Sequence, residues 1–270
     1  MPEVHPTAII RGEVNLADDV TVGPGCVLDG ETGPISIGSK TVLMGNVWLS
    51  GPLKMGESNR AYPFVCLGFA PQDLKWDPAE PGAGLVIGDG NTFREHVTIH
   101  RATSKEKPSR IGNENYWMAN SHAGHDATVG HHCILANGTL LAGHAEIADR
   151  VIFGGNSTVH QFVRIGRGAM LSGLAGTSQD VPPFFMLTSI NVVGSLNLVG
   201  LKRSGVERDV IDDVRWVYST LYRNGRTIKN ATELLRERAD RPMVKEYIDF
   251  IEASQRGICT ARPKPSRSGA

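Results

Sequence analysis

Five residues between positions 122 and 160 have the types and spacing for acid–base chemistry: His122, His125, Asp126, His144 and His160. An imidazole titrates near ~6.5 and serves as a general base when a carboxylate orients it and stabilises its charged form. His125 and Asp126 supply such a pair, although neighbours on a strand point to opposite sides, so pairing requires a reorientation. The N–H of Gly143, with no side chain to block approach, could face a developing oxyanion. Three imidazoles are also a metal-ligand set, with ligands able to come from a neighbouring subunit. His131 and His132 fall on a different face and carry no role.

The elements that must position these groups are short and periodic. Residues 111–182 divide into twelve consecutive hexads, from IGNENY to TSQDVP. Ten of the twelve first positions are bulky and apolar, Ala123 and Thr177 being the exceptions. Every fifth position is small or β-branched apart from Asn115. A hexapeptide period predicts a parallel β-helix in which the large first residue fills a triangular interior and the small fifth fits where walls converge. Three hexads make one coil, so residues 18 apart stack at roughly the inter-strand distance of ~4.8 Å. His125, Gly143 and Gln161 then form one column. Asp126, His144 and Phe162 form its neighbour, with Gly124, Ala142 and His160 on the other side.

The same period begins near residue 4, slips by three around Glu31-Thr32-Gly33, and resumes at Ile37. Residues 69–84 carry three prolines and no hexad phase, and Lys105 occupies a core slot, so loops are expected at 69–84 and 104–110. Loops on a rigid solenoid are where binding residues collect, an ordinary surface excursion being the alternative. After Pro182-Pro183 the spacing becomes helical: Val210, Ile211, Val214, Val217, Tyr218, Leu221 and Tyr222 form one apolar stripe stopped by Asn224-Gly225. Two more helices are expected over 230–239 and 242–254, the latter opened by Pro242. The plan is a solenoid over 1–186, a connector over 187–200, a helical domain over 201–258 that caps the strand edges, and a disordered tail over 259–270.

Composition narrows the function classes. Lys plus Arg and Asp plus Glu stand at 28 each, so nothing favours nucleic acid, though residues 201–270 hold 15 basic against 10 acidic residues. That surplus suits an acidic partner or a solvated helix face equally. The 31 glycines suit a chain that turns a corner every few residues. The four cysteines, Cys26, Cys66, Cys133 and Cys259, form no close pair and read as free thiols in a reducing compartment. No apolar run approaches the ~18 residues of a membrane span, so a soluble cytoplasmic protein without membrane insertion is expected.

HPTAI at 5–9, QDLK at 72–75, TIHR at 98–101, SHAGHDATVG at 121–130, LAGH at 141–144, HQF at 160–162, QDVPP at 179–183 and GLKR at 200–203 together resemble the acyl-carrier-protein:UDP-N-acetylglucosamine O-acyltransferases of lipid A biosynthesis. The resemblance runs in order over all but the final dozen residues. It implies a mainly β fold, a left-handed parallel β-helix of hexapeptide repeats with a C-terminal α-helical domain, assembled as a homotrimer with active sites between subunits. The handedness comes from the resemblance, since parallel crossovers in general favour the right hand. The implied reaction moves a 3-hydroxyacyl chain from the carrier protein to the glucosamine 3-hydroxyl of UDP-N-acetylglucosamine, with no cofactor and no metal. His125 matches the general base, Asp126 its partner, and Gly143 the oxyanion donor. His122, His144, His160 and Gln161 match residues of the acyl and sugar cleft. Asp73 and Lys75 match acceptor-binding residues, Asn197 and Arg203 nucleotide contacts, and Gly173 a chain-length ruler.

Three positions depart from the family pattern. Ser204 stands where a second arginine is frequent, Val199 replaces an acidic residue, and Ile190 replaces a histidine. They leave open N-acyl transfer to a sugar nucleotide carrying a 3-amine. Among other classes, a γ-class carbonic anhydrase shares the solenoid but has no need of the loop at 69–84, and its ligand spacing differs from HxxH here. A non-catalytic scaffold has no use for the intact His125, Asp126 and Gly143.

Overall fold

The computed structural model describes residues 1–77 and 79–261. Three walls of parallel strands wind into a β-solenoid. One wall stacks Tyr116–Trp117, Ile134–Leu135, Ile152–Phe153 and Met170–Leu171. A second stacks Thr128–Val129, Glu146–Ile147 and Arg164–Ile165, and a third His122–Ala123, Leu140–Leu141, Thr158–Val159 and Gly176–Thr177. The register steps by 18 residues through these coils, as the hexads require. The slip near residue 32 is absorbed by one long strand, Val27–Ile37, which turns a corner and joins two walls into a single sheet.

Inside, every first-position residue from Ile111 to Thr177 is buried, Trp117 being the largest. Asn115, the odd fifth-position residue, belongs to a buried asparagine ladder. Its N–H and Nδ2 donate to Asn91 Oδ1 at 2.9 and 3.0 Å, Asn91 does the same to Asn59, and Asn115 Oδ1 accepts the Cys133 N–H at 2.7 Å. Because each amide is satisfied by the next, the polar column sits in the core without a desolvation penalty left unmet.

The corners hold a regularity that residue types do not announce. In eleven of the twelve hexads the fourth residue has φ between 54° and 70°. A non-glycine residue there costs on the order of 1–2 kcal/mol. In return its N–H reaches a carbonyl one coil below, as His144 N does to His125 O at 2.9 Å and Asn156 N to Asn137 O at 2.9 Å.

Three boundaries differ from the sequence-based plan. The second loop ends earlier, because Ser109 is fully buried and Ser109–Ile111 already pairs with Leu85–Ile87. The connector is a structured closure: Phe185–Ser189 extends one wall and pairs with Val192–Leu196 as an antiparallel hairpin. Helix α1 (Leu198–Arg203) follows, capped by Asn197. Helices α2 (Arg208–Tyr222), α3 (Ile228–Leu235) and α4 (Pro242–Glu252) then cover the end. Tyr247 donates to Pro183 O at 2.6 Å and Tyr218 to Gly194 O at 3.1 Å, fastening α4 to the end of the last coil and α2 to the hairpin. The tail also begins later than expected. Thr260–Ala261 is a strand paired with Val192–Val193, and Tyr222 donates to Cys259 O at 2.7 Å. Residues 262–270 of that tail lie outside the described residues.

Candidate active site

Each member of the His125 column occupies the third hexad position, where the chain leaves a wall and turns. Asp126, in the fourth, has φ 59°. At such a corner consecutive side chains no longer alternate, so no reorientation is needed: His125 Nδ1 lies 2.7 Å from Asp126 Oδ2. The second loop secures the carboxylate. Thr103 donates to Oδ2 through its hydroxyl at 2.7 Å and its N–H at 3.1 Å, and Ser104 N–H donates to Oδ1 at 3.1 Å. The Asp126 N–H in turn donates to Ser109 Oγ at 2.8 Å. Burial pushes the Asp126 carboxyl upward, but the donors from His125, Thr103 and Ser104 outweigh it and hold the group well below the usual carboxylate range. Asp126 is therefore an anion with no proton to give, which orients His125 with its Nδ1–H toward Oδ2 and its Nε2 outward.

That outward edge meets Gly143 in the coil above. A Cβ on Gly143 would lie 2.8 Å from His125 Nε2, so only glycine leaves the ring in place. Among the described residues, the Gly143 N–H donates no hydrogen bond. A base and a free peptide donor thus share one wall of a cavity of about 570 Å³, lined also by His122, His160, Gln161, Leu140, Ile190 and Gln72 of the first loop. Burial lowers the His122 pKa, opposed by a hydrogen bond to the Thr98 backbone; the Thr98 hydroxyl lies 2.7 Å from His122 Nδ1. His100, edge-on to His122 at 5.2 Å, is pushed down to about 4 by burial and by its histidine neighbours. It is a neutral packing group.

His144 does not share this cavity. It stacks on Phe162 at 4.4 Å, with Nε2 3.7 Å from Asp126 Oδ2, and faces a separate groove beside Thr103 and Lys107. His125, Asp126 and His144 offer ligand atoms within 4.8 Å of one another, yet the 2.7 Å His125–Asp126 hydrogen bond commits Nδ1 as a donor and leaves that nitrogen no lone pair for a cation.

Residues 180–259 match the family model described as Udp N-acetylglucosamine O-acyltransferase, domain 2, and residues 108–143 match that of the bacterial transferase hexapeptide. Among solved structures, the UDP-N-acetylglucosamine acyltransferase of Francisella novicida is 34% identical with a TM-score of 0.89, covering 97% of this chain and 95% of its own. The UDP-N-acetylglucosamine O-acyltransferase of Moraxella catarrhalis is 38% identical, TM-score 0.88, covering 95% and 99%. The UDP-N-acetylglucosamine acyltransferase of Campylobacter jejuni is 33% identical, TM-score 0.88, covering 96% and 100%. The chain belongs to the UDP-N-acetylglucosamine O-acyltransferase family. It is an acyltransferase built on the family's solenoid.

The other positions that match this family are dispersed over the chain. Asp73 and Lys75 are exposed on the first loop, where Asp73 Oδ1 accepts the Lys75 N–H at 2.9 Å. Asn197 and Arg203 line a different cavity, of about 510 Å³, with Ile134, Ile152 and Met170. Asn197 is buried and spent on structure: it accepts the Gly200 N–H and donates to Gly168 O, both at 2.9 Å. Val199 and Ser204 share that cavity, whereas Ile190 lines the histidine cavity. Gly173 sits on another corner, in a column with Asn137 and Gly155, where a Cβ would make only ordinary contact with Gly155 O at 3.5 Å.

Sequence reasoning missed the residues that hold Asp126. Thr103, Ser104 and Ser109 lie 17–23 positions away and carry no motif. The one signal was the break in hexad phase beside them.

Proposed function

We propose that this acyltransferase moves a 3-hydroxyacyl chain from the thioester of an acyl carrier protein to the glucosamine 3-hydroxyl of UDP-N-acetylglucosamine, the first step of lipid A biosynthesis. His125 is the general base. It removes the acceptor hydroxyl proton through Nε2 while Asp126 stabilises the imidazolium. The freed oxygen attacks the thioester carbonyl, and the Gly143 N–H faces the oxygen that gains charge. Collapse breaks the C–S bond, and His125 returns its proton to the departing thiolate. The carrying observation is the juxtaposition of an Asp126-bound imidazole and an unpaired Gly143 N–H in one cavity. The three relatives named above carry this acceptor in their names.

A homotrimer completes the reading. The histidine cavity lies on one edge of the protomer, and Asn197, Arg203 and Gly173 lie elsewhere. Apolar Ile134, Leu140, Phe162 and Leu174 are exposed, which suits burial against a neighbouring copy. In that arrangement Asn197 sets α1, and with it Arg203, toward the nucleotide, while Gly173 leaves room for the acyl chain. Asp73 and Lys75 reach the acceptor from the first loop. Among the described residues no helix is long and apolar enough to cross a membrane, consistent with carrier-protein chemistry in the cytoplasm.

The test is turnover of UDP-N-acetylglucosamine with a panel of 3-hydroxyacyl carrier proteins, product read by mass. His125→Ala should lower kcat by roughly 10²–10⁴ with the oligomer mass unchanged. Activity within a few-fold of the parent would exclude the assigned base. Preference for a 3-amino sugar nucleotide would move the acceptor from ester to amide formation and leave the base intact.

A further inference from the structure

His160 has a partner that no hexad supplies. After α4 the chain returns across the solenoid end, and Arg256 Nη2 comes 3.0 Å from His160 Nδ1 while its Nε donates to Ser178 O at 3.2 Å. A guanidinium offers only N–H donors, so Nδ1 must be the acceptor. The ring then carries its proton on Nε2. A second contact, Nδ1 to Gln161 O at 3.4 Å, would need the opposite arrangement and is the longer of the two.

Arg256 is not needed to fasten this segment. Ser254 Oγ donates to buried Asp180 Oδ2 at 2.7 Å, Asp180 N–H to Gly257 O at 2.8 Å, and Cys259 N–H to Asp180 O at 2.9 Å. Those bonds zip 254–259 onto the last coil, and Arg256 is the side chain this leaves at the rim beside His160. The cavity there is mostly apolar, lined by Leu140, Leu141, Val159 and Ile190, so one correctly oriented N–H donor matters to any oxygen that enters it.

We propose that Arg256 is a positioning residue of the acyl-transfer site: it holds His160 as the Nε2–H tautomer so that the ring donates a hydrogen bond to an oxygen of the acyl donor. This rests on the function proposed above and itself assigns His160 to the donor side of the cleft. Arg256→Met should lower kcat/KM for the acyl donor about tenfold while KM for the sugar nucleotide stays within twofold. In a His160→Ala background the same change should cost less than twofold, because the group through which it acts is gone. Arg256→Lys, which keeps a donor for Nδ1, should recover most of the loss. An equal loss in both backgrounds overturns the proposal, as does unchanged activity in Arg256→Met. Nitrogen-15 imidazole spectra of the intact protein give a readout independent of turnover: the parent should show a protonated Nε2 on His160, and Arg256→Met a mixture of tautomers. A parent ring protonated on Nδ1 overturns the proposal even if His125→Ala behaves as expected. An active His125→Ala with the Nε2–H tautomer intact instead defeats the reading of His125 alone.

Discussion

Two corners of the solenoid place a histidine at the same hexad position and do different things. His125-Asp126 and His131-His132 both fill positions three and four, and both fourth residues are left-handed, at φ 59° and 56°. At the second corner the third-position side chains cap the backbone of the coil below. Asp149 Oδ1 accepts His131 N–H at 2.8 Å, His131 Nδ1 accepts Asn113 N–H at 2.9 Å, and Asn113 Oδ1 accepts Asp89 N–H at 3.0 Å. These three N–H donors are consumed, and the His131 imidazole is an ordinary acceptor through Nδ1. At the first corner Gly143 has no side chain to reach down, and Gln161 does not reach the Gly143 N–H. A peptide donor is left over, and the histidine beneath it turns to Asp126 instead. What separates a reactive histidine from a structural one is therefore its neighbour 18 residues on together with the carboxylate at the next position of its own hexad.

That contrast can be broken in graded steps. The largest effect after loss of His125 itself should come from Gly143→Ala. Its Cβ would fall 2.8 Å from His125 Nε2 and push the ring off its line while crowding the oxyanion donor, lowering kcat by roughly 10²–10³ with the fold retained. A loss of less than fivefold would mean that neither the N–H nor the ring's position matters.

Thr103→Val should be milder. It removes the 2.7 Å hydroxyl bond to Asp126 but leaves two N–H donors, so a fall in kcat of about tenfold is expected. It also sharpens the comparison through pH. Asp126 has a depressed pKa when folded, so its hydrogen bonds add stability that is present above its unfolded value near ~4 and lost as pH falls through the folded value. The stability gap between parent and Thr103→Val, read by urea melts, should be widest at neutral pH and close in acid; a constant gap would contradict the assignment.

His131→Ala marks the other corner. It should leave kcat within twofold and reduce stability by only about 1 kcal/mol, the worth of one exposed hydrogen bond. A catalytic defect there would erase the distinction.

Much of the architecture was legible in the hexads because their periodicity reports a repeated physical problem: a large residue inside each wall and a small one where walls meet. Ile111, Leu135, Phe153 and Leu171 are buried for that reason. The left-handed fourth position was not legible, since Glu114, Arg150, Phe162 and Leu174 share no side-chain property and only backbone geometry unites them. The hairpin over Phe185–Leu196 was missed because the period stops where a different element takes over the wall.

The sequence by itself determined the column that brings His125 beneath Gly143, because an 18-residue coil is a consequence of local repeats. Only the tertiary structure decided what holds that column in a working state. Thr103 and Ser104 reach Asp126 from an inserted loop, and Arg256 reaches His160 from 96 residues away. Such contacts depend on where non-repeating segments dock, which is set by packing and hydrogen-bond satisfaction across the whole fold rather than by spacing along the chain.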